Sequence, residues 1–83
     1  MVDNNLTMYS TPWCGYCIRL KHQLKREGIS FTEINIAHDS KAARLVEQAN
    51  GGNQTVPTVV LADGTTFTNP SLRQIKQHVA TAL

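Results

Sequence analysis

Thr11-Pro12-Trp13-Cys14-Gly15-Tyr16-Cys17 holds the only two cysteines of the chain, with two residues between them. A short alternating apolar run precedes this stretch and a helical pattern follows it, so the pair falls at a strand-to-helix junction. A bare C-x-x-C is also half of a zinc site, but at such a junction in a small domain it reads as a thiol-disulfide redox motif. Cys14 is then the candidate nucleophile and Cys17 its resolving partner.

Upstream, Leu6 to Ser10 alternates, with Leu6 and Met8 on one side and Thr7 and Tyr9 on the other, as a strand does. Downstream, from about Tyr16 to Glu27, Cys17, Leu20 and Leu24 recur at i, i+3 and i+7, and Gly28 is a natural stop. That register puts Cys17 on the inward stripe and Cys14 one turn earlier, at the helix start. The two thiols therefore differ in expected exposure.

Farther out, Ile29 to Ile36 reads as a second strand with Thr32, Ile34 and Ile36 on one face. Asp39 or Ser40 caps a helix with Ala42, Leu45, Val46 and Ala49 inward, ended by Asn50-Gly51-Gly52. Thr55 to Leu61 is an apolar, β-branched strand opened by a proline. Asp63-Gly64 signals a two-residue hairpin into Thr65 to Thr68. Asn69 as cap and Pro70 at the first helical position start a last helix, with Leu72, Ile75, Val79 and Leu83 inward. The expected fold class is α/β, a βαβαββα chain whose four-stranded mixed sheet carries helices on both faces.

Eighty-three residues fit a single domain, residues 1–83, that buries roughly 60% of its unfolded surface. The 41% hydrophobic and 17% charged residues suit a globular protein, and no apolar run nears the ~18 residues of a membrane span. Met1 to Asn5 lacks the basic start and apolar core of a secretory signal, so the expected location is cytoplasmic. Cysteine pairs there are usually catalytic, sensing or metal-binding. A formal net charge of +2 is too small to argue for nucleic acid, and no membrane partner is expected. Four of the eight basic residues, Arg19, Lys21, Lys25 and Arg26, follow the cysteines; they form a solvated face, or Arg19 and Lys21 add positive potential near Cys14.

A thiol is a poor nucleophile until it loses its proton, and the unsatisfied N–H groups at a helix start favour an anion at Cys14. Cys14 then attacks a disulfide and is released from the mixed disulfide by Cys17 or by an external thiol. Zinc would need four ligands, and His22, His38 and His78 are scattered without ligand spacing. Two inert core cysteines remain the plain alternative. Thr55-Val56-Pro57 would by default hold a trans proline. Paired with an upstream redox C-x-x-C, it becomes a candidate cis-proline loop that leaves the backbone N–H and C=O of Val56 free for an extended disulfide substrate.

These elements, with Cys14-Gly15-Tyr16-Cys17 and Thr55-Val56-Pro57, resemble the glutaredoxin branch of the thioredoxin superfamily over nearly the whole chain. Within it, Trp13 to Cys17, Asn50-Gly51-Gly52-Asn53 and Thr68-Asn69-Pro70 with Asp63-Gly64 are similar to the mycoredoxins. The resemblance implies a thioredoxin/glutaredoxin-like fold and an oxidoreductase that reduces mycothiol mixed disulfides on proteins by a monothiol mechanism. Cys14 and Cys17 are the implied catalytic residues; Trp13, Gly15, Tyr16, Thr55, Val56, Pro57, Thr68 and Asn69 are the implied substrate-binding set. Mycothiol would be the reducing co-substrate, with no metal, and mycothiolated or disulfide-containing proteins would be the partners of a monomer. Many glutaredoxins place a lysine where Thr11 stands and a Gly-Gly-x-x-Asp motif where Thr68-Asn69-Pro70-Ser71 stands. Both charge handles for glutathione are thus missing. Neutral groups such as Thr11, Asn53, Gln54, Thr68 and Asn69 suit the cysteinyl pseudodisaccharide mycothiol better. Two alternatives stay open: a dithiol reductase donating electrons to a protein such as ribonucleotide reductase, and an iron-sulfur cluster carrier, for which Gly15 in place of proline leaves room.

Overall fold

Strand β1 (Leu6–Ser10) lies at the middle of everything the sheet does, with neighbours on both sides. The structure, a computed structural model, describes residues 6–82. After β1 come α1 (Gly15–Arg26), β2 (Phe31–Asn35), a 3₁₀ turn (Ile36–His38), α2 (Ser40–Ala49), β3 (Thr58–Val60), β4 (Thr66–Thr68) and α3 (Leu72–Ala82). The sheet order is β2-β1-β3-β4. β1 runs parallel to β2, with Met8 opposite Glu33, and antiparallel to β3, with Met8 opposite Val59; β3 and β4 are antiparallel. This is the expected four-stranded mixed sheet.

The alternation in β1 divides the core in two. Leu6 and Met8 join Leu20 and Leu24 of α1, Val59 and Leu61, and Ile75 of α3 on one face. Tyr9 joins Ile36, Ala42 and Val46 under α2 on the other. Helices therefore cover both faces, and burying each of these Leu, Ile, Val and Met side chains stabilises the fold by about 1.5–3 kcal/mol.

Helix ends follow local hydrogen-bond chemistry. At the end of α1, Gly28 takes φ +70°. Its N–H donates to the Lys25 carbonyl and the Ile29 N–H to that of Leu24, the paired bonds of a Schellman stop. Ile29 then packs on the first cluster, which is why β2 begins only at Phe31 and not at Ile29. At its other end β2 stops because the Asn35 side chain accepts the Ala37 N–H (2.9 Å), turning Ile36 into the 3₁₀ segment. Asp39, and not Ser40, caps α2 by accepting the Ala42 N–H at 3.1 Å.

Four other expectations are corrected. The buried stripe of α2 is Ala42 and Val46, flanked by half-buried Ala43, so Leu45 (41% exposed) and Ala49 face solvent. The β3 strand is three residues, Thr58–Val60, and Pro57 before it, which follows a cis peptide bond, has no N–H to give to the ladder. The hairpin loop has three residues, Ala62, Asp63 and Gly64 (φ +88°): the Gly64 N–H closes a turn on the Leu61 carbonyl, and the Leu61 N–H donates to the Thr65 carbonyl. That is a turn followed by a glycine bulge, and β4 accordingly starts at Thr66. Finally, α3 is capped by Ser71, not Asn69. Ser71 Oγ accepts the Gln74 N–H (3.2 Å) and Gln74 Oε1 accepts the Ser71 N–H (2.9 Å), a reciprocal capping pair that leaves Pro70 outside the helix. Asn69 instead takes φ +48° and donates its N–H to the Pro57 carbonyl at 2.7 Å. Leu72 and Ile75 pack inward as expected, while the side chain of Val79 and all of Leu83 lie outside the described residues.

Candidate active site

Cys14 is the N-cap of α1, extended at φ −88° and ψ 108°, with its carbonyl accepting the Ile18 N–H at 3.1 Å. Its sulfur does what a capping oxygen does elsewhere: it accepts the Cys17 N–H at 3.1 Å. The Sγ also lies 3.8 Å from the Val56 carbonyl, so the proline loop closes on the thiol from the far side. α1 has no acidic residue in its first turn, and its positive end is left to act on the sulfur.

Cys17, one turn on, is 1% exposed. Burial, reinforced by the hydrogen bond to Cys14, pushes its thiol from an ordinary 9.0 up to about 12; the Cys14 and Glu33 charges add to the rise and the Thr11 backbone opposes it. The expected asymmetry of the pair in exposure is therefore real.

That raised value makes stability depend on pH. Between about 9 and 12 the unfolded chain loses the Cys17 proton and the folded one keeps it, so stability is full below 9 and falls as pH rises. Between pH 8 and about pH 10.5 the wild type should lose roughly 1–2 kcal/mol more than Cys17→Ala, read from urea unfolding midpoints. Parallel losses in the two proteins would contradict the assignment.

Around the thiols, Trp13 and Tyr16 are 76% and 67% exposed. A Cβ on Gly15 would meet nothing within 4 Å, so the backbone itself does not demand glycine there. Thr55 and Val56 are half-buried and Pro57 is fully buried. Among the described residues the Val56 N–H has no hydrogen-bond partner. Two flanks of α1 open into recesses of about 250 Å³ each. One, beside Cys17, is lined by Ser10, Thr11, Lys21 and Glu33. There the Thr11 hydroxyl oxygen is buried without a partner among the described residues, the Ser10 hydroxyl donates to Glu33 (2.8 Å), and Lys21 pairs with Glu33 at 3.1 Å. Lys21 is thus committed to Glu33, leaving Arg19 as the cation of the expected pair without an intramolecular partner among the described residues. The other recess runs between α1 and the turn before α3.

Several implied binding groups are already engaged. Asn53 donates to the Asn50 carbonyl and Gln54 to Glu47. The Thr68 hydroxyl donates to the Asn50 side chain, whose own amide donates to Val46 (2.8 Å) and Thr58 (3.2 Å); the Thr58 hydroxyl donates to the Thr55 carbonyl at 2.7 Å. Asn50 therefore ties the end of α2 to β3, to β4 and to the start of the proline loop. From the sequence it reads only as a helix terminator, and nothing local to Asn50-Gly51-Gly52 signals that its side chain turns back into the fold. His22 and His38 are exposed, while His78 donates to Asp63 at 2.9 Å. No group of three or more His, Cys, Asp or Glu side chains among the described residues is placed to hold a metal.

Residues 6–66 match the sequence profile of the Glutaredoxin family. A Mycobacterium tuberculosis protein named as a glutaredoxin is 51% identical over 76 residues, 92% of this chain and 90% of that one. Mycoredoxin 1 of Corynebacterium glutamicum is 39% identical over 72 residues, covering 87% and 89%. In fold, the chain is similar to the methanoredoxin of Methanosarcina acetivorans (TM-score 0.79, 22% identity, 93% and 85% covered). With its two thiols set at a strand-to-helix junction under a proline loop, the chain belongs to the glutaredoxin family and is a mycoredoxin-like glutaredoxin within it.

Proposed function

We propose that this glutaredoxin-family thiol oxidoreductase reduces mycothiol mixed disulfides on proteins by a monothiol route. The observation that carries the reading is the inequality of the two thiols: Cys14 is half-exposed at a helix start, and Cys17 is buried and hard to ionise. Cys14, as thiolate, attacks the mycothiol sulfur of the mixed disulfide. The Cys14–mycothiol disulfide forms, and the protein thiol leaves with a proton from solvent. A second mycothiol attacks the mycothiol sulfur, giving mycothiol disulfide and returning Cys14 as thiolate. In that step negative charge builds on Cys14 Sγ, where the Cys17 N–H and the end of α1 wait for it.

The unpaired Val56 N–H, on the opposite wall, suits the backbone of an extended substrate. On this reading Trp13, Gly15, Tyr16, Thr55, Pro57, Thr68 and Asn69 make up the rest of the substrate-binding set, with the Thr68 hydroxyl held by the Asn50 side chain. This reading takes residues 1–83 as one glutaredoxin-like domain, monomeric and cytoplasmic, with disulfide-containing proteins and a low-molecular-weight thiol as partners. Among the described residues no helix is long and apolar enough to cross a membrane.

The test is competition. Cys17→Ser protein is offered mycothiol disulfide and glutathione disulfide together, and the Cys14 adduct is weighed by mass spectrometry. The mycothiol adduct should dominate; a glutathione adduct in excess would return the chain to glutathione chemistry.

A further inference from the structure

The recess between α1 and the turn before α3 has unused binding capacity. Tyr16, Arg19 and Gln23 line it from α1, and Asn69, Pro70 and Ser71 from the turn. Spaced at i, i+3 and i+7, the three α1 side chains share one face and span about 10 Å of the helix axis from the first turn onward. Lys21 and Cys17 fall on the opposite flank, so this face is separate from the Glu33 recess. Among the described residues, the side chains of Tyr16, Arg19, Gln23 and Asn69 have no intramolecular hydrogen-bond partner. Among the described residues no carboxylate lines the recess, and buried Pro70 gives it an apolar floor.

We infer that this groove binds the sugar rings of the thiol co-substrate, with Arg19 and Gln23 as its specificity-determining residues; the inference rests on the proposed mycothiol reading. The chemistry fits a polyhydroxylated ring better than a peptide thiol. A guanidinium and two carboxamides offer several donors and acceptors on flat, steerable groups, which is what a ring of hydroxyls requires. The Tyr16 ring, two residues after Cys14 and two-thirds exposed, supplies an apolar face for the C–H side of a sugar. A zwitterionic peptide thiol would bring an ammonium group, and nothing anionic lines the groove to receive it. The groove volume of about 250 Å³ leaves room for rings and not merely for a single chain of atoms.

The test follows the first half-reaction alone. Reduced Cys17→Ser protein is mixed rapidly with mycothiol disulfide or with 2-hydroxyethyl disulfide, which has no rings, and the second-order rate of Cys14 adduct formation is measured. Adding Arg19→Ala and Gln23→Ala should slow the mycothiol reaction ~10-fold or more, the loss of two or three hydrogen bonds, and change the hydroxyethyl reaction little. Arg19→Gln, which keeps hydrogen bonding and drops the charge, should recover part of the mycothiol rate. Equal slowing with both disulfides would overturn the groove, since Arg19 would then act on Cys14 itself. An unchanged mycothiol rate in the double variant, with the parent still favouring mycothiol disulfide over glutathione disulfide, would overturn the groove alone. A parent that favours glutathione disulfide would overturn the mycothiol reading, and the groove assignment with it.

Discussion

Cys14→Ser should lose mixed-disulfide reduction by ~10³-fold or more, while Cys17→Ser should keep most of it. The contrast follows from where the two sulfurs sit. Only Cys14 combines an accessible thiol with a hydrogen bond donated to its sulfur at a helix end. Cys17 is 1% exposed with its thiol pushed up to about 12, so at neutral pH it is a neutral group inside the wall and a slow competitor for the mixed disulfide. On the proposed monothiol reading an external thiol, present in excess and free to approach, wins that competition. Turnover of a mycothiolated peptide by the two variants, with protein folding checked by circular dichroism, decides the matter. Loss of all activity in Cys17→Ser would establish the dithiol route, in which the buried thiol must act in every cycle.

Leu24→Ala should cost about 2–5 kcal/mol, the range for emptying a fully buried leucine site. Leu24 is 0% exposed and stands where α1, β1, β3 and α3 meet, among Leu6, Met8, Val59 and Ile75. Little can collapse into the gap, because the surrounding groups come from four different elements. At ~4–8 °C per kcal/mol for a domain of this size, thermal unfolding should fall by some 10 °C or more. Leu45→Ala on α2, at 41% exposed, is the comparison and should shift unfolding far less. A small effect at Leu24 would mean that the α1 face is looser than its packing suggests.

The parts of the fold legible in the sequence are those with periodic signals. Leu6, Met8 and Tyr9 alternate and do split between two clusters; Cys17, Leu20 and Leu24 recur at helical spacing and are all buried. Gly28 and Gly51 mark helix stops through a backbone preference that acts within a few residues. What was not legible depends on groups far apart in the chain. Asn69 looks like a cap, yet its amide is drawn to the Pro57 carbonyl twelve positions back, so Ser71 takes over the capping. Leu45 and Ala49 fit the apolar spacing of α2, but which of several overlapping stripes turns inward depends on Tyr9 of β1 and Ile36 of the 3₁₀ segment. At the site, the unequal thiols followed from helical register alone. The engagement of Thr68 by Asn50 and of Lys21 by Glu33 needed the fold, since each pairs residues from different elements.

The sheet order β2-β1-β3-β4 leaves β2 and β4 as edges, of five and three residues. Short edges are poor templates for strand-to-strand growth, and β2 further carries charged Glu33 on its exposed side. Yet the proposed reaction asks the protein to hold a partner's extended backbone. On the proposed reading that contact falls to Val56, outside any strand, whose N–H has no partner among the described residues. If Val56 holds the substrate, then substrate capture and resistance to aggregation, which compete wherever a whole strand edge is offered, are kept apart in this chain by placing the first in a loop.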